Sequence, residues 1–307
     1  MSLKIENEKF VKFLQDHKFS LENFDKNIAY LQKVKREHIN CKMSNEEAAK
    51  VGSVIFNIDL CLNEYFNSNI FKFIDLYEGI ILSINSKNIS SAITIARSVL
   101  EHFAMFSYKT DTYINFLKKK DFLKLSIDLH YWNVPEPIKA AHPNYKRTHI
   151  MDAIRFLDKL YSRDDKESKI YQSIYHNFSE NVHPASNSIC MMKDVQKIKE
   201  VWNNEGYNLD VFFTKETGIA FLKELFWVID IVSYELVKNI IPIYKDEVFS
   251  RWNEMKEDVY NYFKENPTKA NEIIEKTVNK QLNDFHRAEI GKENIDEMKI
   301  KSFLKQN

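Results

Sequence analysis

Glycine and proline are scarce in this sequence, which contains only 5 glycines and 6 prolines among 307 residues. Folds built from many short strands need both residues at their frequent turns. A chain with so few of them is better suited to long helices joined by short connections. Apolar residues recur at helical spacing along nearly the whole chain, and 44% of the residues are hydrophobic, enough for a sizeable core. We therefore predict an all-α fold, a multi-helix bundle with about ten helices.

The hydrophobic periodicity also predicts where these helices lie. A capping box at 44–47 is expected to open one helix, which runs through Tyr65. The other predicted helices cover residues 5–16, 21–41, 71–85, 90–109, 112–132, 148–161, 165–183, 215–240, 246–265 and 268–290. Pro135, Pro137 and Pro143 mark a loop, while Pro184 and Pro242 are expected to end the helices before them.

The least periodic part of the chain is 185–213, where we expect irregular structure or a minor strand pair. The last two predicted helices are richer in charge than the rest. We therefore expect two parts, a main helical domain over residues 1–245 and a C-terminal helical hairpin with a polar tail, 246–307, packed on it.

Charge and cysteine usage exclude several classes of protein. Lys plus Arg and Asp plus Glu number 44 each, so the chain lacks the broad positive surface of a strong DNA-binding protein. Cys41, Cys61 and Cys190 are far apart and form no C-x-x-C pair, which predicts neither a disulfide framework nor a cysteine-based metal site. The N-terminus lacks an apolar signal core, and charged residues interrupt the most apolar window, 220–237. We expect a cytoplasmic protein that does not span a membrane.

The predicted helix over 90–109 contains the first candidate site. Its apolar stripe is centred on Ile93, Ala96, Leu100, Phe103 and Ala104. Arg97 and Glu101 are four residues apart on one edge of this stripe, where they can form an ion pair, and His102 falls on the opposite edge. An arginine at the margin of a core needs such a partner, because an unpaired buried charge is costly.

The second candidate segment runs from Tyr171 to Pro184. Its expected buried face comprises Tyr171, Tyr175, Phe178 and Val182. His176, Ser179 and His183 share one border of that face, and His183 directly precedes the helix-ending proline. We expect the polar groups of the two segments to converge on one pocket, because polar groups at the margin of a core must find partners.

The two segments together resemble a family of uncharacterised bacterial helical proteins. The resemblance rests on an Arg-x3-Glu helix at Arg97 and Glu101, followed by a Tyr-x3-Ser-x3-His-Pro motif that begins at Tyr175. It covers about Phe71 to Pro184 and the long helix that follows. Members of this group are often compared with HEPN-type nucleotide-binding domains, which include toxins and phage-defence proteins.

Arg97-x4-His102 separately fits the Arg-x(4–6)-His pattern of HEPN ribonucleases. This resemblance implies a homodimer that cleaves RNA without a metal ion or cofactor. Arg97 would bind a phosphate or stabilise the transition state, and His102 would act as the acid/base; His183 is an alternative catalytic histidine. Glu101, Tyr175, His176 and Ser179 would contact the ligand, an RNA or a nucleotide.

Other interpretations of the same residues remain open. Arg97 and Glu101 can be a structural ion pair, His102 an ordinary boundary histidine, and His183 a residue that only ends its helix. Glu180-x-x-His183 has the spacing of a di-metal ligand pair, but the chain contains no second Glu-x-x-His, so we predict no metal site. The chain could also be a non-catalytic module that binds a ligand or a protein, or a structural protein whose motifs only hold its core together.

Overall fold

A computed structural model describes residues 4–36, 51–131, 148–161, 169–182 and 216–268 of the chain. The structure is 89% helical, and the described residues form eight helices and no strand. This confirms the prediction of an all-α protein. The predicted capping box at 44–47, the proline loop, the possible strand pair in 185–213 and the helix over 268–290 lie outside the described residues, so the count of about ten helices stays a prediction.

The eight helices are numbered in chain order. They are α1 (Glu8–Asp16), α2 (Glu22–Arg36), α3 (Val51–Asn85), α4 (Ile89–Lys118), α5 (Phe122–Tyr131), α6 (Ile150–Leu160), α7 (Ile170–Val182) and α8 (Glu216–Glu265).

Helices α3 and α4 are longer than predicted. The predicted break before residue 71 is wrong, because α3 continues through it. Asn69 lies in that stretch and donates a 2.6 Å side-chain hydrogen bond to the carbonyl oxygen of Tyr65. The predicted break between 109 and 112 is also wrong. There the hydroxyls of Thr110 and Thr112 donate to carbonyl groups four residues earlier, at 2.7 and 2.8 Å. These polar side chains are thus satisfied within the continuous helices.

Two turns of the same type join α3 to α4 and α4 to α5. In each, a lysine in the left-handed conformation ends one helix: φ is 62° at Lys87 and 54° at Lys120. The next residue then caps the following helix, since Asn88 accepts from the Ser91 amide and Asp121 accepts from the Lys124 amide. Each turn therefore ends one helix and caps the next within a few residues.

Helix α8 continues through Pro242, so the prediction that a helix ends there is wrong. Within α8, α-helical stretches alternate with three π-helical ones, Val228–Val232, Leu236–Ile240 and Tyr244–Ser250. Pro242 lies between the second and the third. Proline lacks an amide hydrogen and collides with the carbonyl four residues earlier, and wider turns are one way for a helix to accommodate it.

The chain divides into two compact units. Of the described residues, the first unit contains 4–36, 64–115, 148–161, 169–182 and 216–250, and the second contains 51–63, 116–131 and 251–268.

The core of the first unit is rich in aromatic side chains. Phe66, Phe106 and Tyr244 are all buried, and the Tyr244 ring lies 5.2 Å from that of Phe66 and 5.6 Å from that of Phe106. The α4 stripe is buried as its spacing predicts: Ile93, Ala96, Leu100, Phe103 and Ala104 are each at most 1% exposed. Burial of this stripe fixes which edge of α4 carries Arg97.

The second unit contains a carboxylate, Asp59, that contacts a buried tryptophan and a lysine. Trp252 is fully buried, and its indole Nε1 donates a 2.8 Å hydrogen bond to Asp59 Oδ1. Lys256 Nζ lies 2.9 Å from the same carboxylate oxygen. The carboxylate therefore connects the first part of α3 with the last part of α8.

Candidate functional site

The ion pair predicted on α4 is present. Arg97 Nε lies 3.0 Å from Glu101 Oε1, and the two side chains are 18% and 33% exposed. The pair forms because residues four apart lie on the same side of a helix. Its position at the edge of the buried stripe keeps part of the Arg97 side chain accessible to solvent. Arg97 is thus a fixed and partly exposed positive charge.

Tyr175 on α7 holds the same guanidinium group from a second helix. Arg97 Nη2 donates a 3.2 Å hydrogen bond to the Tyr175 hydroxyl, and the guanidinium carbon lies 5.2 Å from the centre of the Tyr175 ring. Tyr175 itself is buried. Both contacts are favourable for a cation, since the hydroxyl oxygen accepts a hydrogen bond and the ring face carries partial negative charge.

The other predicted residues of α7 are placed differently. Ser179 donates a 2.6 Å hydrogen bond to the carbonyl oxygen of Tyr175, one turn earlier in the same helix. His176 is exposed, and its ring lies 6.0 Å from that of Tyr175. His183 lies outside the described residues. The structure therefore brings Arg97, Glu101 and Tyr175 together, with Ser179 and His176 as neighbours of Tyr175 on α7.

His102 lies away from this group, on the side of α4 that contacts α3. Its ring is 4.6 Å from the ring of Phe73. Its Nε2 atom is buried without a hydrogen-bond partner. Burial lowers the pKa of His102 to about 4, although a hydrogen bond to the backbone of Asn69 opposes this shift and the charge of Lys72 adds to it. Such an imidazole is neutral at pH 7 and does not face Arg97.

Two carboxylates missing from the sequence prediction contact α7. Asp158 accepts hydrogen bonds from the backbone amides of Tyr171 and Gln172, at 2.8 and 3.2 Å, and so caps the first turn of α7. Asn177 Nδ2 donates a 2.6 Å hydrogen bond to Glu224 Oε1 of α8. Asp158 in particular fixes the start of the helix that presents Tyr175 to Arg97.

Glu224 is the more unusual of these two acids. Its Oε2 atom is buried and accepts no hydrogen bond. Burial raises the pKa of Glu224, and the hydrogen bond from Asn177 opposes this only in part. No motif spacing pointed to this residue, because its partner is distant in the sequence. The local sequence signal is a glutamate within an apolar window, which argues against a membrane span but does not indicate a site.

The arrangement of Arg97, Glu101 and Tyr175 suits binding of an anion. Arginine is charged at every accessible pH, and its planar group can donate several parallel hydrogen bonds to one phosphate or carboxylate. Among the described residues, no three His, Cys, Asp or Glu side chains are grouped so that they could hold a metal ion. No helix in the described part of the chain has the length and apolar character needed to cross a membrane.

Comparison of the chain with protein-family models, with curated proteins and with solved structures finds no match.

Proposed function

We propose that this chain is a non-catalytic helical module that binds an anionic ligand, a nucleotide or RNA, through Arg97. The observation that carries the proposal is the position of the guanidinium group. It is held in place by Glu101 of its own helix and by Tyr175 of α7, while the Arg97 side chain as a whole is 18% exposed. A cation fixed in this way has already lost most of its side-chain freedom, so less entropy is lost when a ligand binds.

The position of His102 supports binding rather than cleavage. Cleavage of RNA through a ribose hydroxyl requires an acid/base that reaches the reacting atoms and changes its protonation near neutral pH. His102 has a buried Nε2 atom and a pKa of about 4. It contacts α3, whereas Arg97 contacts α7. These two residues therefore do not form a common site within one chain.

A binding titration with matched arginine variants tests the proposal. We expect wild-type protein to bind 5′-AMP or a short single-stranded RNA in isothermal titration calorimetry, and Arg97→Gln to lose at least about tenfold in affinity, as expected for a charge-assisted contact. Arg155→Gln is the control. Arg155 pairs with Asp152 at 3.3 Å, and both of these side chains are 57% exposed. Its replacement should leave ligand affinity unchanged.

Cleavage of RNA without added metal would contradict the non-catalytic proposal. The HEPN-like ribonuclease would then be the better hypothesis, and His102→Ala and His183→Ala would show which histidine acts. Equal binding by wild type and Arg97→Gln would also contradict the proposal, because the ligand would then bind elsewhere. Absence of binding to every anion tested would favour a purely structural role for the ion pair.

We also expect a homo-oligomer, as the resemblance to HEPN proteins implies. Sites of that kind are often completed across a dimer. Light scattering coupled to size-exclusion chromatography measures the mass in solution. A mass equal to the 36.5 kDa of one chain would contradict the expected dimer and leave the binding proposal intact.

A further inference from the structure

We infer that Asp158 of α6 is a positioning residue for the anion site, because it caps α7 and so keeps the Tyr175 hydroxyl where it holds Arg97. This role rests on the proposed function, since it concerns how tightly Arg97 binds a ligand. The hydrogen bonds of Asp158 go to α7 and not to Arg97. Asp158 therefore acts on the ligand through Tyr175 and Arg97 rather than by contact.

Asp158 is a buried carboxylate whose two oxygens bond to the first turn of α7. Its Oδ1 atom accepts from the Tyr171 amide at 2.8 Å, and Oδ2 accepts from the amide and the side chain of Gln172 at 3.2 and 2.9 Å. The first amides of a helix have no acceptor within the helix. Removal of the carboxylate therefore leaves amides at the start of α7 without partners and loosens its first turn.

The helix itself connects this first turn with Tyr175. In an α-helix the amide of Tyr175 bonds to the carbonyl of Tyr171, four residues earlier. Both side chains face α4, since the Tyr171 ring lies 6.5 Å from that of Phe103 and the Tyr175 hydroxyl lies 3.2 Å from Arg97 Nη2. A looser first turn thus frees the Tyr171 ring and the acceptor of the Tyr175 amide together.

Helix α6 can support α7 because it also packs on α4. The Phe156 ring of α6 lies 5.5 Å from the Tyr108 ring of α4, in an edge-to-face arrangement. Asp158 is two residues further along α6. The carboxylate therefore belongs to a helix whose position on α4 does not depend on the contact between Arg97 and Tyr175.

Ligand affinity then depends on the fraction of molecules in which Arg97 is held. A ligand that binds only this arrangement has an apparent dissociation constant equal to the intrinsic one divided by that fraction. A fall of the fraction from near one to between about 0.2 and 0.5 weakens binding about two- to fivefold. Glu101 remains beside Arg97 when Tyr175 withdraws, because it belongs to the same helix, so binding is weakened rather than abolished.

Calorimetric titrations with 5′-AMP or a short single-stranded RNA, whichever wild type binds, test this role. Asp158→Ala should bind about two- to fivefold more weakly than wild type, and Tyr175→Phe should also bind more weakly. Because both changes act on one contact, the loss in the double variant should be smaller than the product of the single losses. Asp59→Ala is the stability control, because Asp59 bonds to Trp252 in the second unit. It should keep wild-type affinity.

The motion of the guanidinium group reports the same contact without a ligand, because Arg97 Nη2 is the atom that Tyr175 holds. The hydrogen bond hinders rotation of the group about its Nε–Cζ bond, and NMR of the arginine side chains measures the rate of that rotation. Arg97→Gln identifies the signal by removing it. We expect faster rotation in Asp158→Ala and in Tyr175→Phe than in wild type, and no change in Asp59→Ala.

The outcomes separate this role from the function on which it rests. Loss of binding in Arg97→Gln together with wild-type affinity in Asp158→Ala would overturn the role of Asp158 and leave the proposed function standing. Single losses that multiply in the double variant would overturn it too, because Asp158 would then act elsewhere than on Tyr175. Failure of wild type to bind any anion would overturn the proposed function, and unchanged guanidinium rotation in Asp158→Ala would overturn the positioning as well.

A second variant covers the case in which Asp158→Ala does not fold. Asp158→Asn keeps an oxygen that can accept from the Tyr171 amide and loses the acceptor of Gln172. It should show a smaller fall in affinity and a smaller rise in the rate of rotation than expected for alanine. Wild-type affinity and wild-type rotation in Asp158→Asn would then overturn the inference.

Discussion

Arg97 and Tyr175 are 78 residues apart in sequence, and a 3.2 Å hydrogen bond joins the guanidinium Nη2 to the phenol oxygen. The same guanidinium group lies 5.2 Å from the centre of the ring. The hydrogen bond and the cation–π contact are made by one side-chain pair, so a substitution can remove the first and keep the second. The stability of such a variant therefore measures how much the hydrogen bond alone stabilises the contact between α4 and α7.

Tyr175→Phe should destabilise the protein by about 0.5–1.5 kcal/mol, the usual contribution of one hydrogen bond. Phenylalanine keeps the ring beside Arg97 and loses only the hydroxyl. Urea denaturation followed by circular dichroism at 222 nm gives the free energy of unfolding. Tyr234→Phe is the control, because Tyr234 is an exposed tyrosine and should be nearly neutral. Equal effects of the two substitutions would show that the Arg97 hydrogen bond contributes nothing measurable.

The buried histidine predicts how stability depends on pH. The folded-state pKa of His102 is about 4, below its unfolded value of about 6.5. Between these values the unfolded chain binds the proton more readily. Stability should therefore fall as the pH drops from 6.5 to 4, by up to about 3 kcal/mol from this one group.

Comparison of wild type with His102→Leu isolates this contribution. Leucine places an apolar side chain against Phe73 and cannot bind a proton. Free energies of unfolding measured at pH 4.5, 5.5 and 7.5 should fall less steeply in the variant than in wild type. Parallel curves would mean that His102 titrates normally and is solvated in the folded protein.

The all-α fold and the Arg97–Glu101 pair could be predicted because both depend on local spacing. An apolar stripe with helical periodicity indicates a helix, and residues four apart lie together on it. The continuity of α3 before residue 71 and of α4 between residues 109 and 112 could not be predicted in the same way. Thr110 lies in the predicted break and Thr112 directly after it, yet their hydroxyls bond to the carbonyl groups of Phe106 and Tyr108 within one continuous helix. The sequence alone does not show whether a polar side chain bonds within a continuous helix or lies at the end of one.

The ends of α1 and α3 were predicted correctly at Asp16 and Asn85, whereas the end of α4 at Lys118 was missed. The turns after all three helices lack glycine. Lys18, Lys87 and Lys120 have positive φ angles of 60°, 62° and 54°. Each donates its backbone amide to a carbonyl three residues earlier, and the next residue donates to one five residues earlier, at the ends of α1, α3 and α4. Glycine usually occupies this position because it has no Cβ. Lysine adds a favourable charge at the helix C-terminus instead.

Replacing these lysines with glycine should stabilise the protein. A side chain in the left-handed conformation costs about 1–2 kcal/mol, and glycine loses part of that gain through its greater freedom in the unfolded chain. We expect Lys87→Gly and Lys120→Gly each to add about 0.5–1 kcal/mol, measured as an increase in the urea midpoint. Lys119→Gly is the matched control, because Lys119 is an exposed neighbour without a positive φ. A loss of stability in all three variants would contradict the prediction.

The sequence predicted Arg97, Glu101 and Tyr175 as site residues but not the carboxylates that contact α7. The spacing of Arg97 and Glu101 is visible in the sequence, and the Tyr175 motif placed a second polar border near it. Asp158 and Glu224 were missed because their partners, Tyr171 and Asn177, lie on another helix. Contacts of this kind depend on which helices become neighbours, and that information is absent from local periodicity.

The second unit offers a test of a partly buried carboxylate, Asp59, that has two partners. Asp59 Oδ1 accepts a 2.8 Å hydrogen bond from the indole of Trp252 and lies 2.9 Å from Lys256 Nζ. Asp59→Ala leaves the fully buried indole without its acceptor and Lys256 without its counter-ion, so we expect a loss of about 1.5–3 kcal/mol in the free energy of unfolding.

Asp59→Asn keeps an oxygen for Trp252 and removes the charge, and should lose less. Lys256→Met removes the cation alone and separates the two contacts. Urea denaturation followed by tryptophan fluorescence measures all three variants. Equal losses in Asp59→Ala and Lys256→Met would show that the ion pair rather than the indole hydrogen bond carries the stabilisation.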